Sequence, residues 1–197
     1  LNIFSFLDNS IAKSYISSTG TTGFNNIHYP IFFKDFDKKV FLENSKNNFE
    51  RNFFLENFQK VLDKKNKDNL IIFHSTVGHA PYSKYIPKFI NNHSKMNNEE
   101  FQIKLLGDKK KYFKDYINYQ KALEYNFNTL ESLISKINED IPTIFIYLSD
   151  HGESVYTGMG HDSSRLVHEM LRIPFLIYYN DGYIKKYSIK IELTNKH

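Results

Sequence analysis

Cysteine and tryptophan are absent from the 197 residues, and arginine occurs only at Arg51, Arg165 and Arg172. Without cysteine this sequence holds no disulfide framework, no thiolate metal site and no cysteine nucleophile. The compartment stays open, because proteins of oxidising compartments can also lack cysteine. The scarcity of Arg removes the guanidinium fork that reads bases and phosphates bidentately. The net charge of +4 therefore rests on Lys, and no nucleic-acid partner is expected. No apolar run approaches the roughly 18 residues a membrane helix requires. No leader pattern is visible, and the chain opens at Leu1. This predicts a piece of a longer protein.

What is present is aromatic and apolar. Hydrophobic residues make up 41% and Phe, Tyr and Trp together 16%, which excludes a disordered tail. The length suits one domain, 1–197, with material for a real core. The basic runs Lys64–Lys67 and Lys109–Lys111 read as solvated turns. The polar stretch 91–111 reads as a surface insertion.

Two segments carry helical periodicity. From Phe49, the positions Phe53, Phe54, Phe58, Val61 and Leu62 share one face, with Asn47 or Asn48 as the expected cap. From Asp115 to Ile137, Tyr116, Leu123, Phe127, Leu130, Ile134 and Ile137 form a second stripe. Leu70–Phe73, Thr143–Leu148 and Ile173–Tyr179 are short, continuous and apolar, as expected of central strands in a covered parallel sheet. Ile11–Ser17 is a further strand candidate, and the alternating tail Tyr183–Leu193 predicts an edge strand. Helix followed by strand, twice over, predicts an α/β fold with a mostly parallel sheet flanked by helices.

Ligands in such folds bind beyond the carboxyl ends of the strands. Five of the eight histidines fall there: His74, His79, His151, His161 and His168. One strand runs into His74-Ser75-Thr76-Val77-Gly78-His79-Ala80-Pro81-Tyr82, another into Ser149-Asp150-His151-Gly152-Glu153-Ser154, and Gly160-His161-Asp162 follows. Imidazole and carboxylate are the ligands zinc accepts when thiolates are lacking. Asp150 and His151 can reach one ion if the turn twists both inward, and Gly152 is expected to permit that conformation. The competing reading is a set of unrelated loop histidines, but three clusters that each follow a strand favour a metal or phosphate site.

Ser149–Ser154 resembles the S-D-H-G-E-S signature of bacterial phosphoethanolamine transferases, members of the alkaline phosphatase/sulfatase superfamily. His74–Tyr82 is similar to that family's H-x-x-G-x-H-x-P-Y segment, with Val77 intruding before Gly78. Gly160-His161 and Arg172-Ile173-Pro174-Phe175 resemble its downstream G-H and I-P-F-L segments. The resemblance implies an alkaline phosphatase/sulfatase-like core lacking its N-terminal strands. It also implies transfer of phosphoethanolamine from a phospholipid donor to a glycolipid acceptor (lipid A or lipooligosaccharide) through a phosphothreonine. Asp150 and His151 would ligate the main zinc of one or two ions. His79 and His161 would contact the substrate phosphate or a second zinc. His74 would be a neighbouring substrate-side group or a strand-end residue, and Glu153 would hold the turn by hydrogen bonds. The domain would lie on the periplasmic face of the inner membrane, joined to it through an N-terminal region absent here.

The sequence departs from the family pattern in places. Residues 1–19 match a stretch beyond the nucleophile, which is thus expected upstream of Leu1; the competing alignment makes Thr21 the nucleophile, too close in sequence to His79. Gln120 replaces an expected Asp in the second helix. A phosphoglycerol transferase, a phosphodiesterase, a sulfatase and a non-catalytic surface-glycan binding module remain as alternatives.

Overall fold

The computed structural model describes residues 3–19, 33–42, 49–62, 68–84, 86–87, 112–158 and 160–188. These residues group into two compact units, the first built from 1–95 with Tyr119–Thr129, the second from 96–118 with 130–197.

In the first unit, strands β1 (Ile11–Ser17), β2 (Lys38–Phe41) and β3 (Asp68–His74) form a parallel sheet in the order β2-β1-β3. The register sets Ser17 beside His74 and Phe41, so the carboxyl ends of all three strands finish level. β1 is central and buried from Ala12 to Ser17, as a run with apolar residues on both faces demands. β2 carries two lysines in four residues and is placed by its neighbour. The Asp37 carboxylate accepts from the Lys13 N–H at 2.8 Å, and the Asp37 N–H donates to the Lys13 carbonyl at 2.8 Å. One side of the sheet is an aromatic core. Tyr15 meets Phe33 edge-on at 4.6 Å and Phe36 at 5.5 Å, with Phe41 and Ile72 packed around them.

Helix α1 (Glu50–Val61) packs on β3. Phe54 and Phe58 contact Phe73 with ring centroids 5.2 and 5.8 Å apart. Phe54 is 2% exposed, a burial worth about 1.5–3 kcal/mol. The expected asparagine cap is not used. The N-cap residue is Phe49, with no side-chain bond to the helix, and Asn47 and Asn48 lie outside the described residues. A tertiary partner meets one early amide instead, as Arg51 N–H donates to the Tyr125 hydroxyl at 3.1 Å. Burial pushes that phenol up to about 12, so it stays neutral. Tyr125 belongs to α2 (Phe113–Ile134), where it is buried with Ala122, Val77 and Ile86.

The second unit holds β4 (Ile144–Leu148), β5 (Phe175–Tyr179), a short helix α3 (His168–Leu171) and α4 (Asp181–Tyr187). Two sequence expectations are corrected here. β4 and β5 pair antiparallel, with Ile146 opposite Ile177, and are not central parallel strands; Leu148 and Phe175 are 56% and 66% exposed. The predicted edge strand Tyr183–Leu193 begins instead as α4, because Asn180 caps a helix at that point, and residues 189–197 lie outside the described set. Asn180 is the hub of this unit. At 1% exposure, its Oδ1 accepts from Thr143 and Tyr183 N–H at 2.9 and 3.0 Å. Its Nδ2 donates to the Ile141 and Asn138 carbonyls at 2.7 and 3.0 Å. The predicted insertion 91–111 and both basic runs lie outside the described residues.

Candidate metal and phosphate site

β4 delivers its site residues through a tight turn. The Ser149 hydroxyl donates to the His151 carbonyl at 2.7 Å, and the Asp150 carboxylate accepts from the His151 N–H at 3.1 Å. These bonds bring Asp150 Oδ1 to 3.8 Å from His151 Nε2. Ligands on one tetrahedral zinc, each about 2.0–2.2 Å from the ion, sit roughly 3.3–3.6 Å apart. A small side-chain rotation therefore lets Asp150 and His151 share an ion.

Gly152 serves this turn by lacking a side chain rather than by a left-handed conformation, which corrects the sequence expectation. Its φ is not positive. Its N–H donates to the Met170 carbonyl at 2.8 Å, and a Cβ there would press into the carbonyl oxygens of Glu169 and Arg172. The turn is thus seated directly on the backbone of α3.

The chain then loops out and back. Ser154 N–H donates to the Gly160 carbonyl at 2.9 Å, pinning the base of a loop whose middle is the 3-10 turn Val155–Thr157. Gly160, with φ of 60°, turns the chain so that His161 returns beside Glu153. The Glu153 side chain is 5% exposed, and its Oε1 lies 2.9 Å from His161 Nδ1. The His161 ring stacks on His151 at 4.1 Å between centroids. Ligand atoms of His151, Glu153 and His161 all lie within 4.8 Å of one another. Just beyond, Asp162 caps the turn Ser163–Arg165, and hydrogen bonds from Ser164 hold its carboxyl below the usual range.

The imidazoles share one orientation rule. His151 Nδ1 lies 2.9 Å from the Gly152 carbonyl, and His79 Nδ1 lies 2.6 Å from the Ala80 carbonyl. A carbonyl or carboxylate oxygen only accepts, so Nδ1 carries the proton in all three rings. In the neutral ring Nε2 then holds the lone pair, the atom a metal or a phosphate proton would meet. Nitrogen and oxygen donors without thiolate are a set zinc accepts.

Of the other candidate residues, His79 and His74 lie in the first unit and His168 in the second. His79 is exposed, after Gly78 with φ of 105°. His74 ends β3, with Nδ1 2.8 Å from Ser17 Oγ and 3.3 Å from Thr19 Oγ1. It is thereby tied into a hydroxyl cluster at the ends of β1 and β3. His168 opens α3 and is exposed. Thr21, the alternative nucleophile, lies outside the described residues. The sequence groups Asp150, His151 and His161 with His79; the first three fall in the second unit and His79 in the first, and Glu153 has only a turn-holding part in that expectation. The spacing Glu153 to His161 across two glycines was the available signal.

Comparison with known proteins matches the family model "Sulfatase" over residues 4–196. The phosphoethanolamine transferase EptC of Escherichia coli K12 is 27% identical over 173 residues, covering 83% of this chain and 29% of the relative. The phosphoethanolamine transferase EptA of Helicobacter pylori is 37% identical over 76 residues, 36% of this chain and 15% of the relative. The C-terminal periplasmic domain of E. coli EptC superposes with a TM-score of 0.70 at 22% identity, over 90% of this chain and 50% of that one. The same domain in complex with Zn gives 0.69 at 24% identity, over 90% and 51%. The shared fold is the expected mixed α/β core with a parallel sheet flanked by helices. The chain thus spans less than a third of the curated relatives it matches, and half of the solved domain.

Proposed function

Because the chain belongs to the sulfatase family, we propose that it is part of the catalytic domain of a zinc-dependent phosphoethanolamine transferase. The donor would be a phospholipid and the acceptor a cell-surface glycolipid. The observation that carries this reading is the donor set of Asp150, His151, Glu153 and His161, gathered at the end of β4 with each Nδ1 already occupied. Relatives that are phosphoethanolamine transferases support the reaction class. The periplasmic domain of EptC supports a place on the periplasmic face of the inner membrane, beside the lipid. No helix of the described residues is long and apolar enough to cross a membrane.

In this reading Asp150, His151, His161 and His79 hold one or two zinc ions, which supply charge neutralisation on the phosphoryl group and a lowered hydroxyl pKa when bound. The chain's own residues orient the substrate. His79 and His161 would each use Nε2 either on a second zinc or, as an N–H donor, on a phosphoryl oxygen; Glu153 keeps the His161 ring in register, and His74 would support the substrate side from the hydroxyl cluster. The transfer is a double displacement. A threonine hydroxyl attacks phosphorus, the bond to the diacylglycerol oxygen breaks and that oxygen takes the proton. An acceptor hydroxyl then attacks the phosphothreonine, the bond from phosphorus to the threonine oxygen breaks, and that oxygen takes up the proton the acceptor hydroxyl loses.

The test is zinc titration of the full chain and of Asp150→Ala and His151→Ala, with circular dichroism to confirm folding. Loss of zinc from folded variants, together with loss of binding to free phosphoethanolamine, is expected. Zinc retained by both variants sinks the metal assignment. Phosphoethanolamine binding that survives Asp150→Ala favours a non-catalytic binding module.

A further inference from the structure

Glu50 is the first residue of α1 and is 4% exposed, yet it takes no part in the site described above. A buried carboxyl costs several kcal/mol unless its oxygens are hydrogen-bonded, and here they are. Oε1 accepts from the Ser75 hydroxyl at 2.7 Å and Oε2 from the Thr76 N–H at 3.3 Å. Ser18, just after β1, accepts from the Thr76 N–H at 3.1 Å and pairs with the Thr76 hydroxyl at 3.1 Å. Ser75 Oγ in turn accepts from Val77 N–H at 3.1 Å. One side chain thus bonds two consecutive residues between His74 and His79, and one of them, Ser75, holds the next amide. The restraint continues, because the Thr76 carbonyl accepts from the His79 N–H at 3.2 Å. Thr76 is held by Glu50 on one side and holds His79 on the other. The His79 ring is tethered to the adjacent Ala80 carbonyl at 2.6 Å, which couples it to its own backbone.

We infer that Glu50 is a positioning residue: through Ser75 and Thr76 it sets where His79 leaves the end of β3. An apolar residue would fill the same space without the desolvation cost; the carboxylate adds direction to the loop. The inference rests on the reading that His79 contacts the phosphoryl group.

The test uses the zinc-loaded full chain and follows the ring nitrogen signals of each histidine by NMR, alongside titration with inorganic phosphate. Glu50→Gln turns one acceptor into a donor that faces Ser75 Oγ–H or Thr76 N–H. It is expected to shift the His79 signals, leave those of His151 and His161 in place, and weaken phosphate about tenfold. Glu50→Asp is expected to recover part of this. Val61→Ala, in the same helix but about 16 Å along its axis, controls for lost stability; it should lower the melting temperature without moving His79. If Glu50→Gln does not fold, Ser75→Ala removes one arm of the clamp and carries the same expectation. His79 signals that coincide with those of the unsubstituted chain, or that Val61→Ala shifts equally, would overturn the inference and leave Glu50 as a core anchor. If the unsubstituted chain binds no phosphate, the functional reading falls, while the His79 signals still decide the role of Glu50.

Discussion

His151 and His161 lie face to face, with ring centroids 4.1 Å apart and planes inclined by 30°. Nothing in the chain makes them neighbours locally. The contact exists because Ser154 and Gly160 pair across the base of the intervening loop and Glu153 grips the returning ring. The stack places two Nε2 atoms, each with its Nδ1 committed to an acceptor, where one donor set can use both.

Glu153→Gln tests the grip. The amide can offer an N–H to His161 Nδ1, which favours the opposite tautomer and rotates the lone pair away from the site. Removing an outer partner of this kind typically costs 10–100-fold in metal affinity. We expect a loss of that size in zinc titration, with little change in the unfolding midpoint. An unchanged affinity would show that Glu153 only holds the loop.

Gly152→Ala tests the seat. The added methyl must push the turn off the carbonyls of Glu169 and Arg172, and overpacking of this sort costs about 1–3 kcal/mol. Zinc affinity should fall together with stability, because Asp150 and His151 ride on the same turn. Gly78→Ala is the contrast, since a Cβ at Gly78 meets nothing within 4 Å and only its positive φ is strained.

Asn180→Ala removes acceptors from the Thr143 and Tyr183 amides and donors from the Ile141 and Asn138 carbonyls in a buried place. Unsatisfied buried groups cost about 1–3 kcal/mol each. A loss of roughly 2–4 kcal/mol in urea unfolding is expected, since water will enter and recover some bonds. A loss below about 1 kcal/mol would mean the hub is redundant.

Glu50 sets a pH dependence. Burial raises its carboxyl above the ordinary 4.5, against the lowering effect of Ser18, Ser75 and the Thr76 amide. The folded state therefore holds this proton more tightly than the unfolded state. The resulting stability is complete below the ordinary value and is lost as pH rises through the folded one. The unfolding free energy of the native chain should decline over that window, and Glu50→Gln should lack this part of the slope. Parallel profiles for the two proteins would contradict the burial effect.

Legibility in the sequence followed locality. β1 is legible because Ile11–Ser17 is short and carries apolar residues on both faces, Ile11 and Tyr15 on one and Ala12 and Ile16 on the other. β2 is not, since Lys38-Lys39-Val40-Phe41 is too short and too charged to read as a strand; only pairing with β1 and the Asp37 bonds make it one. The group Asp150, His151 and His161 was legible because the first two adjoin and the third follows a glycine. The part of Glu50 was not, because it bonds residues 25 and 26 positions away across a pairing no pattern announces. The tail Tyr183-Ile184 alternates as a strand would, but the Asn180 side chain accepts from the Tyr183 N–H and starts a helix there.

The three tethered imidazoles differ in what holds them. His151 and His79 lean on the carbonyl of the very next residue, an acceptor every amino acid supplies. His161 leans on a side chain. Mutational drift can therefore alter the neighbours of His151 and His79 with the ring tethers intact, whereas the setting of His161 is heritable through one codon, that of Glu153. If the site holds an ion as proposed, variation among related chains in its strength would accordingly be written at position 153 before it is written at any histidine.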